Sequence, residues 1–194
     1  KFVGALTNTP KLYVNQLYIT YSITSRTAGY EDGAVWINSA TGTTTGTERY
    51  VNGTADNPVK TITDALTIAA AVGLKRFRVA NGSLVTLAAT TTNYTFLGHN
   101  WTLALGGQLI TNCYFEGASV SGTSTGDGVV FSDCVFPSTV TVGSSVFYRC
   151  RLDATFTTIA GKEYLFHQCV DDDPEPTTNP IFILTANTLM AFRS

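Results

Sequence analysis

The 194-residue sequence predicts an all-β chain, a short single-stranded parallel β-helix with an N-terminal capping α-helix. Three observations lead there. A cysteine-centred phrase recurs four times between residues 109 and 173. Strand-like alternation surrounds every copy. One convincing helical pattern precedes the repeats and none follows them.

The four copies are Leu109-Ile110-Thr111-Asn112-Cys113, Val130-Phe131-Ser132-Asp133-Cys134, Val146-Phe147-Tyr148-Arg149-Cys150 and Leu165-Phe166-His167-Gln168-Cys169. Three residues before each Cys stands Ile110, Phe131, Phe147 or Phe166. One residue before it stands a polar or charged group. Two after it come Phe115, Phe136 and Leu152, then Asp171, which breaks the pattern and marks the expected end of the solenoid. A coil this short cannot bury its own apolar face, so coils stack at the ~4.8 Å strand spacing with like over like. Cys113, Cys134, Cys150 and Cys169 are expected to form one buried column of reduced thiols, with disulfides as the alternative. Zinc is disfavoured, because no C-x-x-C pair occurs and a column on one face does not surround an ion.

Taken in order, residues 1–38 form a β-rich segment whose aromatics suit attachment or an interface: Tyr13, Tyr18, Tyr21 and Trp36. A core or a cap over the solenoid's end is the plainer reading. Residues 39–57 are a Gly/Thr loop without apolar period, mobile or laid over a neighbour. Residues 58–173 hold the helix and the coils. Thr61 and Asp64 resemble a capping box, Ile62, Ala65, Leu66, Ala69 and Val72 mark one helical face, and Gly73 suits the C′ position. Strands follow at Arg76-Phe77-Arg78-Val79, Ser83–Leu87, Tyr94–Leu97 and Trp101–Leu105. Return strands are expected at 119–121, 139–142 and 155–157, with Gly122, Gly143 and Gly161 as positive-φ corners. Residues 174–194 are an apolar C-terminal extension beyond an acidic turn; its end suggests further protein or a neighbour, and Lys1 a processed or incomplete start.

Composition narrows function. Charged residues are 13%, about half the usual ~25%, and the net charge is −2 without a basic run. Nucleic-acid binding is therefore not expected. No apolar run reaches ~18 residues, so no membrane span is expected, and no signal peptide is visible. No cofactor motif occurs. The N-x-S/T sequons at Asn52, Asn81, Asn93 and Asn100 reflect Thr-rich composition.

Asn57–Ala69 followed by Arg76–Val79 resembles the capping helix and first coil of pectate-lyase-like right-handed β-helices, common in tailed-phage virion proteins. Residues 33–37, the following loop and Gly106–Gly117 also look like a group of phage structural proteins. The resemblance spans about residues 33–170. It implies a right-handed solenoid, a homotrimer, and a virion location, assembled in the host cytoplasm and exposed on the extracellular particle. Other virion proteins and host surface glycan are the implied partners. The fold hosts enzymes and inert fibres alike, so activity must be argued from side chains.

Glu116 and Asp153 each stand three residues after a Cys, two coils apart, hence ~9–10 Å. That is close to the ~6.5–9.5 Å between the carboxyls of an inverting glycosidase. Asp127 and Asp133 are further acid candidates. Asp171, Asp172 and Asp173 could hold a hard cation, although Pro174 and the missing D-x-D-x-D-G spacing speak against it. His99 and His167 are lone histidines, and no Ser or Cys has an evident base. Tyr114, Tyr148 and Trp101 could stack on a sugar, or belong to core or interface. The leading expectation is a non-enzymatic virion structural protein, a tail fibre, tailspike or capsid decoration. A polysaccharide-cleaving tailspike and a carbohydrate-binding adhesin are the alternatives.

Overall fold

The computed structural model describes residues 29–44, 46–153, 155–170 and 181–194. Tyr13, Tyr18, Tyr21 and Asp171–Asp173 lie outside the described residues. The expected parallel β-solenoid is present. Its front face stacks eight strands in order: Ala34–Ile37, Arg76–Val79, Thr95–Ala104, Tyr114–Thr125, Val129–Ser132, Ser145–Tyr148, Glu163–His167 and Leu189–Arg193. Every neighbouring pair is parallel. Five turns carry the chain from the second of these strands to the seventh, and one strand is added at each end.

Two expectations are corrected here. Ala34–Ile37, expected in the β-rich segment ahead of the solenoid, pairs with Arg76–Val79 as the first front strand. The solenoid does not end at the fourth Cys phrase, because Leu189–Arg193 pairs in register with Glu163–His167. Parallel strands need a crossover, and long crossovers hide the repeat from a period search.

A phenyl ladder holds the stack together. Val35, Phe77, Phe96, Phe115, Phe131, Phe147, Phe166 and Phe192 are register partners, strand after strand. Successive ring centroids from Phe77 to Phe192 are 4.7, 4.9, 5.5, 5.4, 4.6 and 5.0 Å apart. From Phe96 onward the rings are stacked, the offset geometry that the aromatic quadrupole favours at such spacings. Phe136 and Phe156 meet the ladder edge-on from the other walls of the coil. Each fully buried Phe contributes about 1.5–3 kcal/mol through burial.

The helix spans Ile62–Val72 and buries Ile62, Ala65, Ile68, Ala69 and Val72. Ile68 stands in the buried set where Leu66 was expected. Thr61 caps it by accepting the Asp64 N–H at 3.1 Å, and Gly73 ends it at φ +77°. The helix packs against the first front strand, as an end cap should. The loop after Ile37 is tied down by its own hydrogen bonds. It folds back on its own coil: Trp36 N–H bonds Gly53 O, and Asn57 ties Thr43, Asn52, Val51 and Thr54 together.

Behind the front face run two further walls. Leu84–Thr86, the second half of Thr95–Ala104, residues 118–121, Val135–Phe136 and Arg151–Leu152 form one. Val140–Thr141, Phe156–Thr157 and Phe182–Ile183 form the other, paired with Gly122 and Thr123. Residues 119–121 thus lie one wall earlier than their expected equivalents. Gly143 has no positive φ, contrary to expectation. It is small because a Cβ there would overlap the Gly126 carbonyl.

Candidate functional site

The Cys phrase marks a corner of the coil, and the corner arranges the surface beside it. Asp133, Arg149 and Gln168 have φ of 53, 49 and 53°. Each turns the chain in the left-handed region that L-residues rarely enter. The turn breaks strand alternation, so these three side chains point to solvent while the next residue points inward. Cys134, Cys150 and Cys169 follow and stack, as the pairing of Arg151 with both Val135 and Val170 requires. Their Sγ–H groups also reach the Phe115, Phe131 and Phe147 carbonyls of the previous coil at 3.6, 3.4 and 3.5 Å. The hydrogen bond with Cys134, aided by burial, raises the Cys150 pKa. Contact with Cys150 and burial raise that of Cys169.

Cys113 is not in this column. Its Sγ–H reaches the Thr91 carbonyl at 3.4 Å, and Ile110 pairs with Thr91 rather than with a ladder residue. Asn112, at φ 51°, belongs to a second corner that it shares with Asn93, at φ 60°. The position opposite Cys134 is held by Ala118 and, one coil earlier, Trp101. The four-thiol column is therefore three thiols, all free, plus one buried thiol elsewhere. Both corners need the same local grammar of inward residue, outward residue, left-handed polar residue and small inward residue. That is why the first copy looked equivalent.

The outward positions of the front strands form two columns. The first carries Tyr114, Val130, Val146, Leu165 and Ala191 in register. The second carries Glu116, Ser132, Tyr148, His167 and Arg193. Trp36 lies at the far end of this second column. Tyr114 O–H donates to Glu116 Oε2 at 3.0 Å. Burial and this carboxylate hold the Tyr114 phenol above its ordinary pKa. Ser132 Oγ–H donates to Asp133 Oδ2 at 2.7 Å, and Arg149 grips both Asp133 oxygens at 2.8 and 2.6 Å. The guanidinium hydrogen bonds keep Asp133 below the usual carboxylate range. Lys162 does the same for Asp127 at 2.8 Å. Tyr148 is 37% exposed, its ring 5.4 Å from that of His167, whose buried Nδ1 has no hydrogen-bond partner among the described residues.

The expected carboxylate pair does not form a column. Glu116 is in register with Ser132 on the front face, whereas Asp153 follows Arg151–Leu152 on the next wall, beyond the corner. Asp153 is bound by Arg151 Nε at 2.7 Å. The cause is the misaligned first copy: three residues after Cys113 is a different place on the coil from three after Cys150. Trp101 is buried and donates its Nε1–H to Glu116 O at 2.9 Å, so it presents no surface to a sugar. Among the described residues no group of three or more His, Cys, Asp or Glu side chains could hold a metal ion. No helix among them is long and apolar enough to cross a membrane.

Sequence reasoning passed over a groove of about 370 Å³ on this front face. Val146, Leu165 and Ala191 line it, with Glu163 and Leu189 at the strand starts and Arg193 at a strand end. Aligning on Phe131, Phe147, Phe166 and Phe192 instead of on Cys would have exposed it, since each outward residue immediately precedes a ladder Phe. Compared with protein-family models, curated proteins and solved structures, the chain matches none.

Proposed function

We propose that the chain is a non-enzymatic structural protein of a tailed-phage virion, an exposed β-helical appendage that assembles as a homotrimer. The observation that carries this reading is the state of the four candidate acids. Asp127, Asp133 and Asp153 are each locked to a Lys or Arg, and Glu116 accepts a hydrogen bond from Tyr114. A glycosidase needs one carboxyl held protonated near neutral pH. Asp127 and Asp133 are displaced the opposite way. The helix-and-first-strand phrase that resembles phage β-helices supports the particle assignment, and the phenyl ladder supports a stiff, durable rod. Mass spectrometry of purified particles tests this, together with glycan-release assays on the recombinant chain. Peptides from the chain should be present in particles and no sugar should be released. Release that Glu116→Ala abolishes would replace this reading with the tailspike enzyme.

The adhesin reading is favoured by one feature, the exposed Tyr148 ring beside His167 and the Asp133–Arg149 pair. A stacking ring next to planar hydrogen-bonding groups is a sugar-binding combination. Glycan-array binding that Tyr148→Ala removes would establish it.

A further inference from the structure

We infer that the apolar strip on the front face is where one copy of this chain packs against another, with Glu163 of one copy meeting Arg193 of the next. The inference rests on the proposed self-assembly and assigns it a surface. Four consecutive coils present Val130, Val146, Leu165 and Ala191 outward and in register. An unbroken aliphatic column on an outer face is not needed for the coil's own core, which the phenyl ladder fills. Solvent-facing sheet positions ordinarily alternate toward polar residues. Here the alternation delivers aliphatic side chains to the outside as well.

The two edges of the strip differ in charge. Glu163 stands at the start of its strand and Arg193 at the end of the next. Both are exposed, and neither forms an ion pair among the described residues. The neighbouring charges are already matched, Asp127 by Lys162 and Asp133 by Arg149. The strip between the two edges is about 13 Å wide at ~3.3 Å per residue. When two copies lie with coil axes parallel and strips facing, the acidic edge of one meets the basic edge of the other, one strand spacing apart in height. The same pairing repeats around any closed ring of copies, as a homotrimer requires. An antiparallel arrangement instead sets acidic edge against acidic edge and basic edge against basic edge. The strip would form the dry centre of the contact, and the edge pairs would fix its register.

Sedimentation equilibrium on the full chain tests this, with far-UV circular dichroism to show that each variant is folded. Wild type should be oligomeric. Leu165→Glu should remain folded and raise the subunit Kd by at least about tenfold. Glu163→Arg and Arg193→Glu should each weaken association, and the double exchange should restore it. Thr141→Glu, on another wall, should change nothing. A wild-type chain that stays monomeric refutes the self-assembly reading itself and would hand the strip to a partner of another kind. A wild-type oligomer indifferent to Leu165→Glu leaves self-assembly standing and removes this surface from it. Failure of the double exchange to rescue refutes the edge pairing.

Discussion

Replacing Phe147 with Ala should be among the most damaging single changes in the coil. Its ring is fully buried and stacks on Phe131 at 5.4 Å and on Phe166 at 4.6 Å. Phe136 and Phe156 meet it edge-on at 5.5 and 5.3 Å. Truncating a buried Phe to Ala costs about 3–5 kcal/mol, and each ring pair adds ~0.5–1.5 kcal/mol beyond area. Four ring partners place Phe147→Ala at the upper end, about 4–5 kcal/mol. That is a large share of the ~5–15 kcal/mol that holds a typical domain. Phe192 is the control. It occupies the same column but is 63% exposed, with ring partners Phe166 and Phe182. Its truncation should cost about 1 kcal/mol, because little area returns to water. Urea unfolding followed by circular dichroism measures both. A Phe147→Ala loss below about 1.5 kcal/mol, or one no larger than that of Phe192→Ala, would show that the ladder does not carry the core.

Further outcomes follow from the corners and the thiols. Gln168→Gly should raise stability by about 0.5–1 kcal/mol by relieving left-handed strain at φ 53°, read as a higher urea midpoint. Gly143→Ala should lower stability by at least about 2 kcal/mol, since the new methyl overlaps the Gly126 carbonyl. In native protein an aromatic disulfide reagent should titrate the half-buried Cys169 first and Cys113, Cys134 and Cys150 only on unfolding; a buried thiol reacting first would contradict the packing. Asp133 has a depressed folded pKa, so its contribution is present above the ~3.9 of the unfolded carboxyl and fades as pH falls through the lower folded value. The stability difference between wild type and Asp133→Asn should therefore be small at neutral pH and vanish in acid, consistent with an exposed pair. A difference that grows on acidification would reverse the sign.

The fold was legible because Phe131, Phe147 and Phe166 occupy a true structural period, and because Thr61, Asp64 and Gly73 delimit the helix by local chemistry. Legibility failed where two places on the coil share one local solution. Asn112-Cys113 and Asp133-Cys134 look alike because each turns a corner through a left-handed residue. Nothing local says that Phe115, two residues after a Cys, continues the ladder in which Phe131 stands three before one. That slip carried Glu116 onto the wrong wall and created an acid pair that the coil does not form. That the two end strands join the stack is hidden in the sequence for a different reason. Val35 reaches Phe77 only after the helix intervenes, and Phe166 reaches Phe192 after a long excursion, so neither joins a regular period. The front-face groove is made by residues that are ordinary apolar strand positions in sequence, and only the stacked register reveals which side they face.

The phenyl ladder also works as a ruler that measures only one side of each coil. From Phe96 to Phe115 the chain spends 19 residues, from Phe115 to Phe131 16, and from Phe166 to Phe192 26, yet each ring lands on the one before. Length differences are absorbed at the bends and the other walls. A segment inserted between Phe136 and Val140, or after Leu152, would enlarge one coil without moving its neighbours out of step. Such a molecule can gain or lose surface loops piecemeal while its spine stays the same.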